Sequence, residues 1–334
     1  MTSFLITGGA GFIGSHFVEK ICLSGDKAIV LDNLTYAANL DNLSLVENKP
    51  NFKFIKGDIG DKNLVSKILR EEEIDFIVNF AAESHVDNSI SSPKEFIHTN
   101  IVGTFNLLDC ALDYFKNLAA EKKDHFRFLH VSTDEVFGSL NLTDPKFNEE
   151  TPYRPNSPYS ASKAASDHLV RAWFETYGLP TITTNCSNNF GPHQHQEKLI
   201  PTVIASAISD KAIPVYGNGK NIRDWIFVKD HADGIYLALT QGKLGSTYCF
   251  GGNCEKENIS LIQEICEILD QLEPRSDGKS YKEQITFVKD RLGHDKRYAI
   301  DNEKVEQEFG FKPLKSFSER LKETVVWYLK ILRS

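Results

Sequence analysis

Short apolar runs alternate with helical stretches through the first half of the chain. Residues 3–7, 28–32, 53–56, 76–80 and 127–132 read as strands. Between them, apolar positions recur at helical spacing over 11–23, 61–72, 95–119 and 158–177. The strands are apolar throughout rather than alternating. A strand covered on both faces has no polar side to show, so the pattern predicts an α/β fold, a doubly wound parallel sheet with helices on both faces.

After about residue 188 the pattern changes. Pro, Gly, Asn and His become frequent through Gly219, and a strand and helix follow over 225–239. Beyond Gly251 come a helix at 260–272, a loop at 275–279, a strand near 285–288 and a terminal helix over 317–332. The expected division is a first unit of residues 1–187 plus about 222–250, and a smaller, mostly C-terminal α/β lobe of about 188–221 and 251–334. There is no internal repeat or low-complexity run.

The run from Thr7 to Gly14 follows the first strand and opens a helix, with glycines at Gly8, Gly11 and Gly14. Glycines allow a tight turn and let main-chain N–H groups approach a pyrophosphate at the helix N-terminus. Asp32 ends the second strand, where a carboxylate accepts hydrogen bonds from an adenosine ribose and repels a 2′-phosphate. The combination indicates a Rossmann-type sheet binding NAD rather than NADP. Asp58, after the third strand, suits adenine, and the small Ala81 and Ala82 after the fourth leave room for the cofactor.

Tyr159 and Lys163 are spaced i, i+4 and share one helix face. A free tyrosine, with a pKa near ~10, is a poor base at neutral pH. A neighbouring ammonium and a positive nicotinamide ring favour the phenolate, which can then take a hydroxyl proton as hydride leaves the same carbon.

Taken together, these residues resemble the extended short-chain dehydrogenase/reductase family. Within it, the adjacent Thr133, Asp134 and Glu135 at the end of the fifth strand are similar to the nucleotide-sugar 4,6-dehydratases. Further matching stretches are 81–87, 187–192, 197–201, 222–225 and 293–301. The resemblance implies a hydro-lyase acting on a nucleotide hexose, dTDP-glucose foremost, through oxidation at C4, loss of water across C5 and C6, and hydride return to C6. Tyr159 and Lys163 would oxidise, Thr133 would bond the C4 oxygen, Glu135 would take the C5 proton, and protonated Asp134 would donate to the leaving hydroxyl. Two neighbouring carboxyls divide their protonation states because like charges discourage double ionisation.

The resemblance also implies NAD contacts from Gly8, Gly11, Phe12, Ile13, Gly14, Asp32, Asn33, Thr35, Asp58, Ile59, Ala81, Ala82, Thr99, Tyr159, Lys163 and Asn189. Substrate contacts would come from Ser84, Thr133, Asn188, Lys198, Leu199, Pro214, Tyr216, Arg223, Asn258, Arg291 and His294. A guanidinium fork suits a diphosphate, which favours Arg223 and Arg291. NAD would stay bound through turnover, and a homodimer would form through the helices at 95–119 and 158–177. Three positions depart from the family pattern: Asn88 where many members carry Arg, Phe137 where Tyr is frequent, and the run from His193 to Gln196.

A 4-epimerase or decarboxylase on a nucleotide sugar would share the Tyr–Lys pair without needing Asp134 and Glu135. A non-catalytic NAD sensor would need neither pair. Composition narrows the field a little further. The 334 residues are 41% hydrophobic and 25% charged, with net charge −8, so nucleic acid is a poor partner. The six cysteines form no C-x-x-C pair, which argues for free thiols in a reducing cytoplasm and against a zinc site. His193 and His195 lack acid or Cys partners at ligand spacing, and no metal is expected. No apolar span is long enough for a membrane.

Overall fold

The computed structural model describes residues 1–290 and 293–333. Twelve strands occur among them: β1 (Ser3–Thr7), β2 (Lys27–Asp32), β3 (Phe52–Lys56), β4 (Phe76–Asn79), β5 (Arg127–Thr133), β6 (Thr181–Cys186), β7 (Asn188–Phe190), β8 (Ile213–Tyr216), β9 (Ile222–Phe227), β10 (Thr247–Phe250), β11 (Glu255–Glu257) and β12 (Ile285–Val288). Seven form one sheet in the order β10-β6-β5-β4-β1-β2-β3, with parallel pairings. This is the doubly wound α/β architecture. Strand order runs one way from β1 and the other way from β4, which leaves a crevice at the switch point between them.

Side-chain alternation explains why the strands carried no polar face. Phe4 and Ile6 enter one core with helices Phe12–Leu23 and Val228–Gln241. Leu5 between them enters the opposite core with helices Lys62–Glu71, Thr104–Lys116 and Pro158–Tyr177. Successive side chains point to opposite faces, and here both faces are dry.

Two strands of this sheet are absent from the sequence-based expectation. β6 reads Thr-Ile-Thr-Thr-Asn-Cys, yet all its residues are buried. Two of its polar side chains bond inside the protein: Thr181 Oγ1 donates to Val170 O at 3.4 Å and Asn185 Nδ2 to Thr133 O at 3.0 Å. β10 is only four residues long. The helix expected over 95–119 also needs correction. It is built from Pro93–Phe96, a wider π-helical segment Ile97–Gly103, and Thr104–Lys116. Within the widened turn Asn100 clamps the chain, accepting from Glu83 N at 2.9 Å and donating to Glu83 O at 3.0 Å and Ser162 Oγ at 2.9 Å. Widened turns of this kind often mark functional sites, and helical periodicity does not reveal them.

The remaining strands make a three-stranded sheet, β11-β9-β7, and a β12-β8 pair. Helices Leu199–Ile208, Asn258–Leu272 and Phe317–Arg333 join them in a second core. Ser187 alone separates β6 from β7, so the two sheets meet at the C-terminal ends of the central strands. The six cysteines are all free thiols. Among the described residues, no helix is long and apolar enough to cross a membrane.

Candidate active site

A cleft opens at the switch point, and all sixteen residues expected to hold NAD line it, from Gly8 to Asn189. The glycine turn shows why. Gly8 has φ +68°, and a Cβ there would lie 2.7 Å from Ala81 N. A Cβ on Gly14 would lie 2.4 Å from Gly8 O. The turn therefore sits against both β4 and the following helix. Gly11 caps that helix without a side-chain hydrogen bond, so its first-turn N–H groups remain for an external acceptor. Buried Asp32 braces the same turn, accepting from Ala10 N at 2.9 Å and Leu34 N at 2.8 Å. Its remaining lone pairs are available to ribose hydroxyls. Asn33 donates to Asp58 at 3.0 Å and closes the adenine end. Thr99 reaches the cleft from the π-helical segment. These groups fit NAD, whose hydride chemistry they would hold against the Tyr–Lys pair.

Tyr159 and Lys163 occupy the first turns of helix Pro158–Tyr177, whose start is fixed by Pro158 and a reciprocal Ser157–Ser160 capping box. Both are buried, Tyr159 at 8% and Lys163 at 3% exposure. Lys163 Nζ donates to Val131 O at 2.8 Å and lies 3.3 Å from His130 Nε2. Burial lowers the Lys163 pKa, and Asp167 opposes that shift. Burial likewise raises the Tyr159 pKa well above its ordinary value, and Glu135 adds to the rise; a hydrogen bond with the Thr133 hydroxyl pulls the other way. The bare pocket thus favours the phenol, and the positive charge of a bound nicotinamide is what remains to favour the phenolate.

The two acids follow directly on β5. Thr133 caps a short 3-10 turn, Asp134–Phe137, and its Oγ1 accepts from Glu135 N at 3.2 Å. Asp134 is 2% exposed, and its pKa is raised well above the carboxylate range by burial, then by Glu135 and Asp224; Arg223 opposes this. Among the described residues Asp134 Oδ2 has no hydrogen-bond partner. A carboxyl whose pKa is pushed up in this way holds its proton more strongly than an exposed one and is suited to act as a general acid. Half-buried Glu135 lines the same cleft.

Three groups in this network escaped the sequence reading as site residues. His130 and Asp167 lie behind Lys163, with Asp167 Oδ2 accepting from Ser132 Oγ at 2.8 Å and Tyr153 OH at 2.9 Å. Asp167 stands four residues after Lys163 on the same helix, a spacing that offered a signal. Asp224, fully buried on β9, accepts from Cys254 N at 2.7 Å and Gly252 N at 3.1 Å. Nothing local in the sequence joins it to Asp134.

Of the residues expected to bind substrate, Ser84, Thr133, Asn188 and Lys198 line the cleft, and Lys198 Nζ donates to Ser84 O at 3.2 Å. Glu83, His195 and Glu197, not among the expected site residues, line it too. Leu199, Pro214, Tyr216, Arg223, Asn258 and His294 do not line it; Arg223 stands on β9 and the others belong to the second lobe around it. Arg223 is the one tied to the acids. Its guanidinium lies 4.3 Å over the Tyr298 ring and donates to Asp295 O at 3.0 Å, while its charge acts on Asp134. His294 pairs with Asp290 at 2.6 Å. Arg291 lies outside the described residues. At the departures from the family pattern, Phe137 packs on Phe147 and Tyr153, Asn88 N donates to His85 Nδ1 at 3.4 Å, and His193 packs on Trp327.

Fold and site together define a short-chain dehydrogenase/reductase of the extended type, with its oxidising pair set beside an acid couple able to eliminate water. A family profile described as GDP-mannose 4,6 dehydratase matches residues 5–324. A dTDP-glucose 4,6-dehydratase of Xanthomonas campestris pv. campestris is 55% identical over 98% of this chain and 93% of its own length. That of Haemophilus influenzae is 51% identical over 98% of both chains. Among solved structures, the Bacillus anthracis dTDP-glucose 4,6-dehydratase in complex with NAD superposes with TM-score 0.87 at 42% identity, covering 99% of this chain and 97% of that one. The Streptomyces venezuelae dTDP-glucose 4,6-dehydratase gives 0.88 at 43%, covering 98% and 97%. The chain belongs to the dTDP-glucose 4,6-dehydratase family.

Proposed function

We infer that the chain converts dTDP-glucose to dTDP-4-keto-6-deoxyglucose and water. One observation carries this reading: buried Asp134, its pKa pushed up by burial and then by Glu135, shares a cleft with Glu135, Tyr159 and Lys163. An epimerase would have no use for that acid couple. NAD, when bound, would supply the reversible hydride chemistry between C4 and C6. The chain's own groups handle the protons. Tyr159, its charge supported by Lys163, accepts the C4 hydroxyl proton, and Thr133 holds the C4 oxygen. The ketone acidifies C5–H, which Glu135 removes and later returns. Asp134 donates to the C6 hydroxyl as it leaves. Arg223 on β9, with residues of the second lobe, suits the diphosphate.

Incubation of the purified protein with dTDP-glucose and no added NAD, followed by mass spectrometry, tests the reading. A product lighter by one water is expected, with deuterium placed at C4 recovered at C6. No such product from dTDP-, UDP- or CDP-glucose would sink it.

Residues 1–187 with about 222–250 act as the NAD-binding unit, and about 188–221 with 251–334 as the sugar-nucleotide lobe. A homodimer is supported by apolar side chains left exposed on the π-helical segment and the adjoining helices: Ile97 at 47%, Val102 at 46%, Phe105 at 43% and Tyr177 at 51%. Light scattering at the mass of one 37.7 kDa chain would contradict it. Free thiols suit a reducing cytoplasm.

A further inference from the structure

The proposed reaction leaves a proton in the wrong place. The C4 hydroxyl proton ends on Tyr159. The C5 proton goes to Glu135 and comes back. The water that departs carries the C6 oxygen, its own proton and one from Asp134. At the end of a turnover Tyr159 is therefore a phenol and Asp134 a carboxylate, the reverse of what the next turnover requires. One proton must travel from Tyr159 to Asp134 in every cycle.

Both groups are buried, at 8% and 2% exposure, so bulk water has poor access to either. Thr133 stands between them. Its Oγ1 donates to Asp134 Oδ1 at 3.4 Å, and its hydroxyl lines the same cleft as the Tyr159 phenol, near enough to favour the phenolate. A hydroxyl both donates and accepts, so it can receive one proton as it releases another. The position is fixed: Thr133 ends β5 and caps the turn that carries both acids.

We propose that Thr133 resets the enzyme by relaying the Tyr159 proton to Asp134 once the 4-keto product has left. The phenol O–H bond breaks as Thr133 Oγ1 gains that proton, and the Thr133 O–H bond breaks as Asp134 Oδ1 gains its proton. Phenolate and carboxylic acid are restored together, with no change in net charge. The driving force lies in the two environments. Buried Asp134, pressed by Asp224 and Glu135, binds a proton strongly, while a bound NAD cation favours the phenolate. This role adds to the contact of Thr133 with the C4 oxygen and rests on the dehydratase reading.

Rapid-quench measurement on Thr133→Val and Thr133→Ser, each with its NAD content verified, tests the relay. In Thr133→Val the first turnover should be followed by later turnovers about 10-fold or more slower, because Asp134 then awaits a proton from outside. Imidazolium buffer should speed those later turnovers in proportion to its concentration and leave the first unchanged. Thr133→Ser keeps a hydroxyl and should show neither effect. Thr133→Ala is read in the same way if the valine variant loses NAD. Equal slowing of first and later turnovers, with no buffer response, would confine Thr133 to a substrate contact and overturn the relay. No dehydrated product from the wild-type protein would instead overturn the underlying function.

Discussion

Asp167 is the buried counter-charge of Lys163, with the His130 imidazole between them: His130 Nε2 is 3.3 Å from the Lys163 ammonium and 3.4 Å from Asp167 Oδ1. Asn79 Nδ2 donates to His130 Nδ1 at 3.1 Å, which makes Nδ1 the acceptor and leaves the Nε2 proton for Ser166 Oγ at 3.2 Å. His130 is held neutral, its pKa brought down to about 4 by burial and then by the Lys163 charge.

Removing the counter-charge should therefore act on the lysine. Asp167→Asn is expected to move the alkaline limb of the kcat profile, where Lys163 loses its proton, down by about 1 pH unit or more. Asp167→Glu should hold the limb near its original place. A loss of thermal stability with an unmoved limb would reduce Asp167 to a packing role.

The acid couple should separate oxidation from elimination. Asp134→Asn and Glu135→Gln are each expected to slow dehydration by about 10²–10⁴-fold, the usual share of a general acid or base. Oxidation at C4 needs neither side chain. On adding dTDP-glucose, the near-ultraviolet absorbance of reduced NAD should rise and persist in both variants. Dehydration at the wild-type rate in either one would remove it from the mechanism.

The glycine turn should determine whether NAD stays bound. A Cβ at Gly14 would lie 2.4 Å from Gly8 O and 2.9 Å from Gly9 Cα, and neither backbone atom can yield cheaply. Gly14→Ala should leave the purified protein depleted of NAD, at a cost of about 1.4 kcal/mol for each tenfold loss of affinity. Denaturing the protein and measuring the released nucleotide checks this; an unchanged yield would show that the cradle is not the cofactor site.

Acid should destabilise the fold through its buried histidines. Burial is the leading cause that lowers the pKa of His130 to about 4, of His193 to about 4 and of His231 to about 3. In the unfolded chain a histidine titrates near ~6.5, so between these values the unfolded state binds more protons. Stability is therefore complete above the unfolded value and falls as pH drops through the window. At pH 5 a fully buried histidine of this kind costs about 2 kcal/mol. Melting temperature should fall from pH 7 to pH 5, and His231→Asn should flatten that fall. A parallel decline in the variant would exclude His231 as a source.

The sequence by itself determined the parallel sheet, the glycine turn with Asp32, and the chemistry of Tyr159, Lys163, Asp134 and Glu135. These features are local: strand apolarity, a turn between strand and helix, an i, i+4 pair and adjacent residues on one strand end. It did not yield β6, because Thr181 and Asn185 look polar until Val170 and Thr133 supply their partners. It gave one regular helix where Asn100 widens a turn by reaching back to Glu83. Tertiary structure alone decided the charge environment. The Asp134 pKa is pushed up because the fold buries it, sets Glu135 beside it and brings Asp224 from β9, ninety residues away, to the same site. His130 faces Lys163 because β5 lies against the catalytic helix. Burial and long-range charge are properties of the packed chain, and no short stretch of sequence encodes them.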